Sequence, residues 1–176
     1  MKLLLSTLLS CLLFSLDVAA HGPTPQKAKE SITISAPVEK VWGQVKQFDD
    51  IASWHTDVKA SSGDGKLASG GVRSITFQNG EQLLEELDYY NDQEHEYSYR
   101  LKTENVKALP VSSYSIELLV KPAETAGSSV VLLKSRFYRG DTGNTPPESL
   151  SDAAAVEAMN KFFKNGLAGL KQTLEK

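Results

Sequence analysis

Cysteine is almost absent from these 176 residues: the single one, Cys11, lies in an apolar N-terminal stretch. A disulfide scaffold, a thiol nucleophile and a thiolate metal site are therefore excluded from everything downstream. Histidine is nearly as scarce. Of His21, His55 and His95, none is spaced with another His or with a carboxylate as a metal site requires. No run of Lys or Arg occurs and the net charge is −3, which argues against nucleic acid and against an anionic membrane surface as partners. Glycine never clusters into a phosphate loop or a dinucleotide fingerprint, and no Gly-x-Ser-x-Gly elbow exists. The residues assign no catalytic set, no metal and no cofactor.

The one long apolar run, Leu3 to Leu16, follows Lys2 and is closed by Asp17. It is too short for stable membrane insertion, and Val18-Ala19-Ala20 offers small residues at the right spacing for cleavage after Ala20. Residues 1–20 thus read as a signal peptide, and the mature chain as an exported, periplasmic one. Losing Lys2 and Asp17 leaves the net charge unchanged. After cleavage His21 would be the first residue, able to chelate copper if His55 or His95 came alongside, but nothing in the sequence brings them together.

What remains reads as one domain. Residues 21–30, with Pro23 and Pro25, are polar and read as a flexible leader arm, and 31–176 as a single α+β domain. Ile32 and Ile34 mark a short strand. Ser35-Ala36-Pro37 starts a helix buried through Val38, Val41, Trp42, Val45 and Phe48. A second short helix or turn carries Ile51, Trp54 and His55, with His55 either a structural residue or one at a cavity mouth, and Val58 opens a strand. Period-two alternation then predicts strands near 71–77, 81–90, 96–103, 112–120 and 129–139, about seven in all. His95 falls in a solvated turn. Pro146-Pro147 precede a long amphipathic helix with apolar residues at Val156, Met159, Phe163, Leu167, Leu170 and Leu174, capped at Ser149 with Asp152.

The Asn79-Gly80 hairpin fixes a register. A two-residue turn would mix polar and apolar residues on both faces, whereas a three-residue loop Gln78-Asn79-Gly80 sets Phe77 against Glu81, Ile75 against Leu83 and Arg73 against Glu85. The apolar face then holds Phe77, Ile75, Leu83, Leu87 and Tyr89, with an Arg–Glu pair set into it. Either that pair is a structural ion pair near the rim, solvated or satisfied by its neighbours, or it is the polar floor of an apolar cavity. Tyr97, Tyr99 and Tyr114 share this face, and buried hydroxyls need partners. The cavity candidates are Arg73, Glu85, Tyr99 and Tyr114 on the floor, Trp54 and His55 at the edge, and Phe163 closing it from the helix together with Met159 and Phe162. Gly166 and Gly169 should mark the closest approach of that helix to the sheet or the cavity.

Ala36-Pro37 with Val41-Trp42, Phe48 with Ile51 and Trp54-His55, Gly71-Val72-Arg73, Glu85-x-Leu87, Tyr97-Ser98-Tyr99, and Pro110 with Tyr114 resemble the START-like (SRPBCC) superfamily, in its polyketide cyclase/dehydrase branch. The resemblance implies a helix-grip (Bet v 1-like) fold: a curved seven-stranded antiparallel sheet around a long C-terminal helix, with a cavity between. A narrower resemblance, to the MxaD family of periplasmic methanol-oxidation accessory proteins, rests on four segments. They are His21–Lys27, Glu104-Asn105 with Leu109–Tyr114, Phe137–Asn144, and Gly166-Leu167 with Leu170-Lys171. It implies a non-catalytic helper bringing methanol dehydrogenase to its cytochrome c acceptor. His55-Thr56 departs from the His-Pro of many relatives.

Core packing does not demand such specific loop sequences, so the leader arm, the 103–113 loop and the 139–147 connector are expected to form the partner surface. Asn105, Pro110, Arg139, Asp141 and Asn144 are its candidates. The competing readings are a carrier or sensor of a small hydrophobic ligand in the cavity, and an enzyme using Arg73 and Glu85 as acid and base. The last is disfavoured, since a carboxylate paired with a guanidinium is a poor proton donor.

Overall fold

The computed structural model describes residues 22–176; the signal-peptide and copper readings, at residues 1–20 and His21, lie outside them. Seven strands form one curled antiparallel sheet in the order β1-β7-β6-β5-β4-β3-β2. They are β1 (Gln26–Ile34), β2 (Val58–Gly63), β3 (Val72–Phe77), β4 (Gln82–Asn91), β5 (Glu96–Thr103), β6 (Val111–Pro122) and β7 (Ser129–Arg139). Helix α1 (Val38–Val45) and a 3₁₀ segment, Phe48–Ser53, link β1 to β2, and helix α2 (Asp152–Leu174) follows β7. This is the helix grip expected. Among the described residues no helix is long and apolar enough to cross a membrane.

The core lies between the concave face of the sheet and α2. Ile75, Leu83, Leu87, Ile116, Leu118, Val131 and Phe137 face Met159, Phe163, Leu167 and Leu170, all buried. Alternation along each strand sends every second residue outward. The β3–β4 loop is the three-residue one: Arg73 opposes Glu85, Ile75 opposes Leu83, and the Phe77 N–H donates to the Glu81 carbonyl at 2.9 Å. Gly80 takes the left-handed conformation, φ +86°, that a loop of this length needs.

Several boundaries differ from expectation. The leader arm is short, because β1 begins at Gln26 and pairs with β7 from Phe137 onward; Ala28, inside the expected arm, is buried. Tyr89 leaves the apolar face. The β4–β5 register shifts between Leu87 and Tyr89, so Tyr89 turns outward to 42% exposure and Tyr90 packs against the core instead. The cap of α2 is Ser151, whose Oγ accepts from the Ala154 N–H at 3.3 Å, because Ser149 sits in a 3₁₀ turn (Glu148–Leu150) ahead of it. His95 is not simply solvated: with φ +55° it lays its ring edge-on to Trp42. Trp42 in turn donates to Asp92 at 2.7 Å, tying α1 to the β4–β5 turn.

Candidate functional site

The register that sets Arg73 opposite Glu85 also places both on the concave face, where they are 1% and 0% exposed. Arg73 Nε donates to Glu85 Oε2 at 2.5 Å, and its Nη1 donates to the Phe48 carbonyl at 2.7 Å. The guanidinium carbon stands 4.1 Å from the Phe48 ring centre and 4.5 Å from that of Tyr99, so aromatic faces cover the charge. From β6, the Tyr114 hydroxyl donates to Glu85 Oε1 at 2.5 Å. Both carboxylate oxygens are therefore engaged. Burial is the largest influence on Arg73 and acts to lower its pKa, but the Glu85 charge, Tyr99, Tyr97 and the hydrogen bond to Glu85 together outweigh it, and the guanidinium stays firmly protonated. Burial, then the Glu85 charge, pushes the Tyr114 phenol well above its usual range. Burial likewise raises Tyr97, to about 12, and Tyr99.

Of the two readings of the Arg–Glu pair, the structural one holds in that neighbours satisfy it, but its place is not the expected one. It is no rim pair, since it is fully buried. Nor does it floor an open chamber: its immediate surroundings are Phe48, Tyr99 and Tyr114.

His55 takes the structural place of its two readings, and Trp54 lies with it. They lie beneath α2, 2% and 5% exposed, rather than at a mouth. The His55 ring stacks on Phe162 with centroids 4.1 Å apart, and its Nδ1 accepts from the Asp57 N–H at 3.2 Å. Burial, with a smaller contribution from the Arg73 charge, lowers its pKa from 6.5 to about 3. The ring is neutral at ordinary pH. His55 Nε2, Trp54 Nε1 and Arg73 Nη2 are buried donors without a partner among the described residues.

Gly166 and Gly169 do mark a closest approach, but to the 54–56 segment rather than to the sheet. A Cβ at 169 would stand 2.3 Å from the Trp54 carbonyl oxygen. Asn165 fastens the same contact by donating to both Asp57 carboxylate oxygens, at 2.9 and 3.0 Å. Sequence reasoning missed this Asp57–Asn165 tie, since no spacing links two polar residues so far apart.

One open groove lies beside this cluster. A groove of about 320 Å³ runs between the β3–β4 loop, the β5–β6 loop and α2, lined by Phe77, Asn79, Leu109, Pro110, Lys161 and Phe162. Phe162, not Phe163, separates it from His55; Phe163 is fully buried in the core. A hundred degrees of helical rotation divides the two rings, which no periodicity argument about a broad apolar face resolves.

The surface candidates gather at one end of the sheet. The β5–β6 loop holds Asn105, which donates to Glu81 at 2.8 Å and to the Gln82 carbonyl at 3.1 Å. Arg139, at the end of β7, donates to the carbonyls of Asp141 and Gly143 at 2.7 and 2.8 Å and pairs with Asp152 at 3.0 Å. The connector is thereby held against the start of α2. The two loops touch: a Cβ at Gly140 would meet the backbone of Pro110 at 3.0 Å and Leu150 at 2.9 Å. Asn144 is exposed on the connector. The start of β1, opposite Phe137, reaches the same end.

Residues 25–175 match the family model described as polyketide cyclase / dehydrase and lipid transport. Among solved structures, the chain is 26% identical to the protein XoxI from Bacillus cereus, with a TM-score of 0.70 over 85% of this chain and 96% of that one. A protein from Bacillus thuringiensis is 25% identical, with a TM-score of 0.70 over 86% and 100%. One from Nitrosospira multiformis, at 24% identity and a TM-score of 0.66 over 85% and 96%, shares the fold.

Proposed function

The chain belongs to the polyketide cyclase / dehydrase and lipid transport family, and from that footing we propose that it is an exported, non-catalytic accessory protein of methanol oxidation. In this reading it promotes productive contact between methanol dehydrogenase and its cytochrome c acceptor in the periplasm.

The observation that carries the reading is the convergence of the 103–113 loop, the 139–147 connector and the start of β1 at one end of the sheet. These are the segments whose sequences resemble the accessory family. The Arg139 hydrogen bonds hold the connector in one shape, so little ordering entropy is left for a partner to overcome. Glu85, engaged on both oxygens and buried, is poorly placed for acid–base work. The test is the rate of electron transfer from purified dehydrogenase to cytochrome, with and without this protein. A rise in rate or in complex affinity is expected; no change in either sinks the proposal.

A second reading, a carrier of a small hydrophobic ligand, is favoured by the groove of about 320 Å³, whose lining is mostly apolar with Asp57, Asn79 and Lys161 among it. The unpartnered donor of His55, stacked on Phe162, and that of its neighbour Trp54 would serve a ligand oxygen once the Phe162 ring moved. Native mass spectrometry of protein from its own host distinguishes this reading by added mass.

A further inference from the structure

Lysine and arginine are scattered along the sequence, but the register of β1 on β7 gathers four of them. Lys27 stands opposite Arg136 and Lys29 opposite Lys134. Ala28 and Ser135, between them, are buried, so all four cations project from the outer face, away from α2. Like charges directly opposed in a ladder are destabilising, so this arrangement works against the fold. Lys134 is held by Glu117 at 2.6 Å. Lys27, Lys29 and Arg136 form no ion pair among the described residues.

The outward carboxylates nearby are mostly occupied. Arg100 takes Glu86 and Asp88 at 2.8 Å each, and Lys102 also binds Glu86. Glu96, beside Glu117, is the exception. Ser98 and Ser115 keep the surface low between the cations, leaving a groove of about 480 Å³. A second groove of about 390 Å³ shares Ser115 and Arg136 with it and reaches Tyr138, which is 37% exposed.

We propose that this β1–β7 face is a docking site for an acidic protein surface. Free cations beside hydroxyls and an exposed tyrosine make the chemistry of a protein interface, with Tyr138 and Arg136 as its anchors. An anionic membrane is the poorer fit: the cations line concave grooves, and the chain as a whole is acidic. A local cationic face on an acidic protein orients an approaching acidic partner. The inference holds whichever pathway the partner serves.

The probe is a fluorescent twelve-residue glutamate–tyrosine peptide, titrated with the purified chain and followed by anisotropy, beside vesicles containing phosphatidylglycerol. Binding to the peptide that weakens about tenfold between low and physiological salt is expected, with no binding to vesicles. Lys27→Glu/Lys29→Glu should weaken peptide binding about tenfold yet raise Tm, because each new carboxylate faces a cation across the ladder. Arg136→Gln, which adds no charge, should weaken it about threefold without lowering Tm. Lys59→Glu, on a different edge of the sheet, should bind as the parent does. Unchanged binding in the double variant, or a parent that prefers the vesicles, overturns the proposal.

Discussion

Gly166 of α2 lies directly over the His55 ring: a Cβ there would stand 2.5 Å from Cδ2 and 2.7 Å from Nε2. The ring cannot retreat, because Phe162 stacks on its face. Alanine would favour the helix by about 1 kcal/mol, but forcing the packed aromatic aside costs more. Gly166→Ala should therefore lose about 1–3 kcal/mol in urea denaturation. In a His55→Ala background the same change should become neutral or favourable, which a double-mutant cycle measures.

His55 also sets a pH dependence. Its native pKa, about 3, lies below the unfolded 6.5, so the native state binds fewer protons in that window. Above pH 6.5 the imidazole is neutral in both states and contributes full stability. As the pH falls below 6.5 the unfolded chain takes up a proton that the native state refuses, and stability drops by about 1.4 kcal/mol per unit. His55→Gln should abolish this part of the slope between pH 6.5 and about 5, above the range where carboxylates titrate.

The Arg73–Glu85–Tyr114 cluster should respond as a unit. Arg73→Met alone leaves a buried carboxylate and should cost about 3–5 kcal/mol. Arg73→Met/Glu85→Leu removes both charges and should cost less than the single change. Tyr114→Phe removes one donor to a charged acceptor and should cost about 1.5–3 kcal/mol. Denaturant midpoints with unchanged m-values would verify that stability, not compactness, has moved.

Arg139→Ala should act locally. Its guanidinium holds Asp141, Gly143 and Asp152, all within the connector and first turn of α2. Amide exchange should accelerate across 140–151 while the sheet stays protected. Under the proposed function the variant should also lose most of its effect on electron transfer, although the global loss of stability stays at about 1 kcal/mol.

Much of this was legible in the residues. The Asn79-Gly80 loop alone set the β3–β4 register, because only one loop length sorts Ile75 and Leu83 from their polar neighbours. Alternation alone puts Tyr89 on the wrong face because a bulge carries no periodic signal: the alternation before and after it is intact, but one residue out of step. Ala28 looked like part of an arm since its neighbours are polar, and an edge strand with one face to water need not show more than that. The sequence leaves His55 open between a structural and a cavity-mouth role; that Gly166 makes room for it beneath the helix depends on how two distant segments meet. The cationic face was invisible for the same reason. Lys27 and Arg136 lie at opposite ends of the chain, and only a ladder makes them neighbours.

That ladder has a consequence for how the molecule assembles. From β2 through β7 each strand pairs with the next in sequence, so hairpins can zip up one after another at small loop-closure cost. The β1–β7 pairing joins Gln26 to Phe137 and cannot form until nearly the whole chain is present. Closing it is the high-contact-order step, the one expected to set the folding rate. The first strand made is then the last to find its place, and until it does, the edge of β7 stays open to any other strand that reaches it.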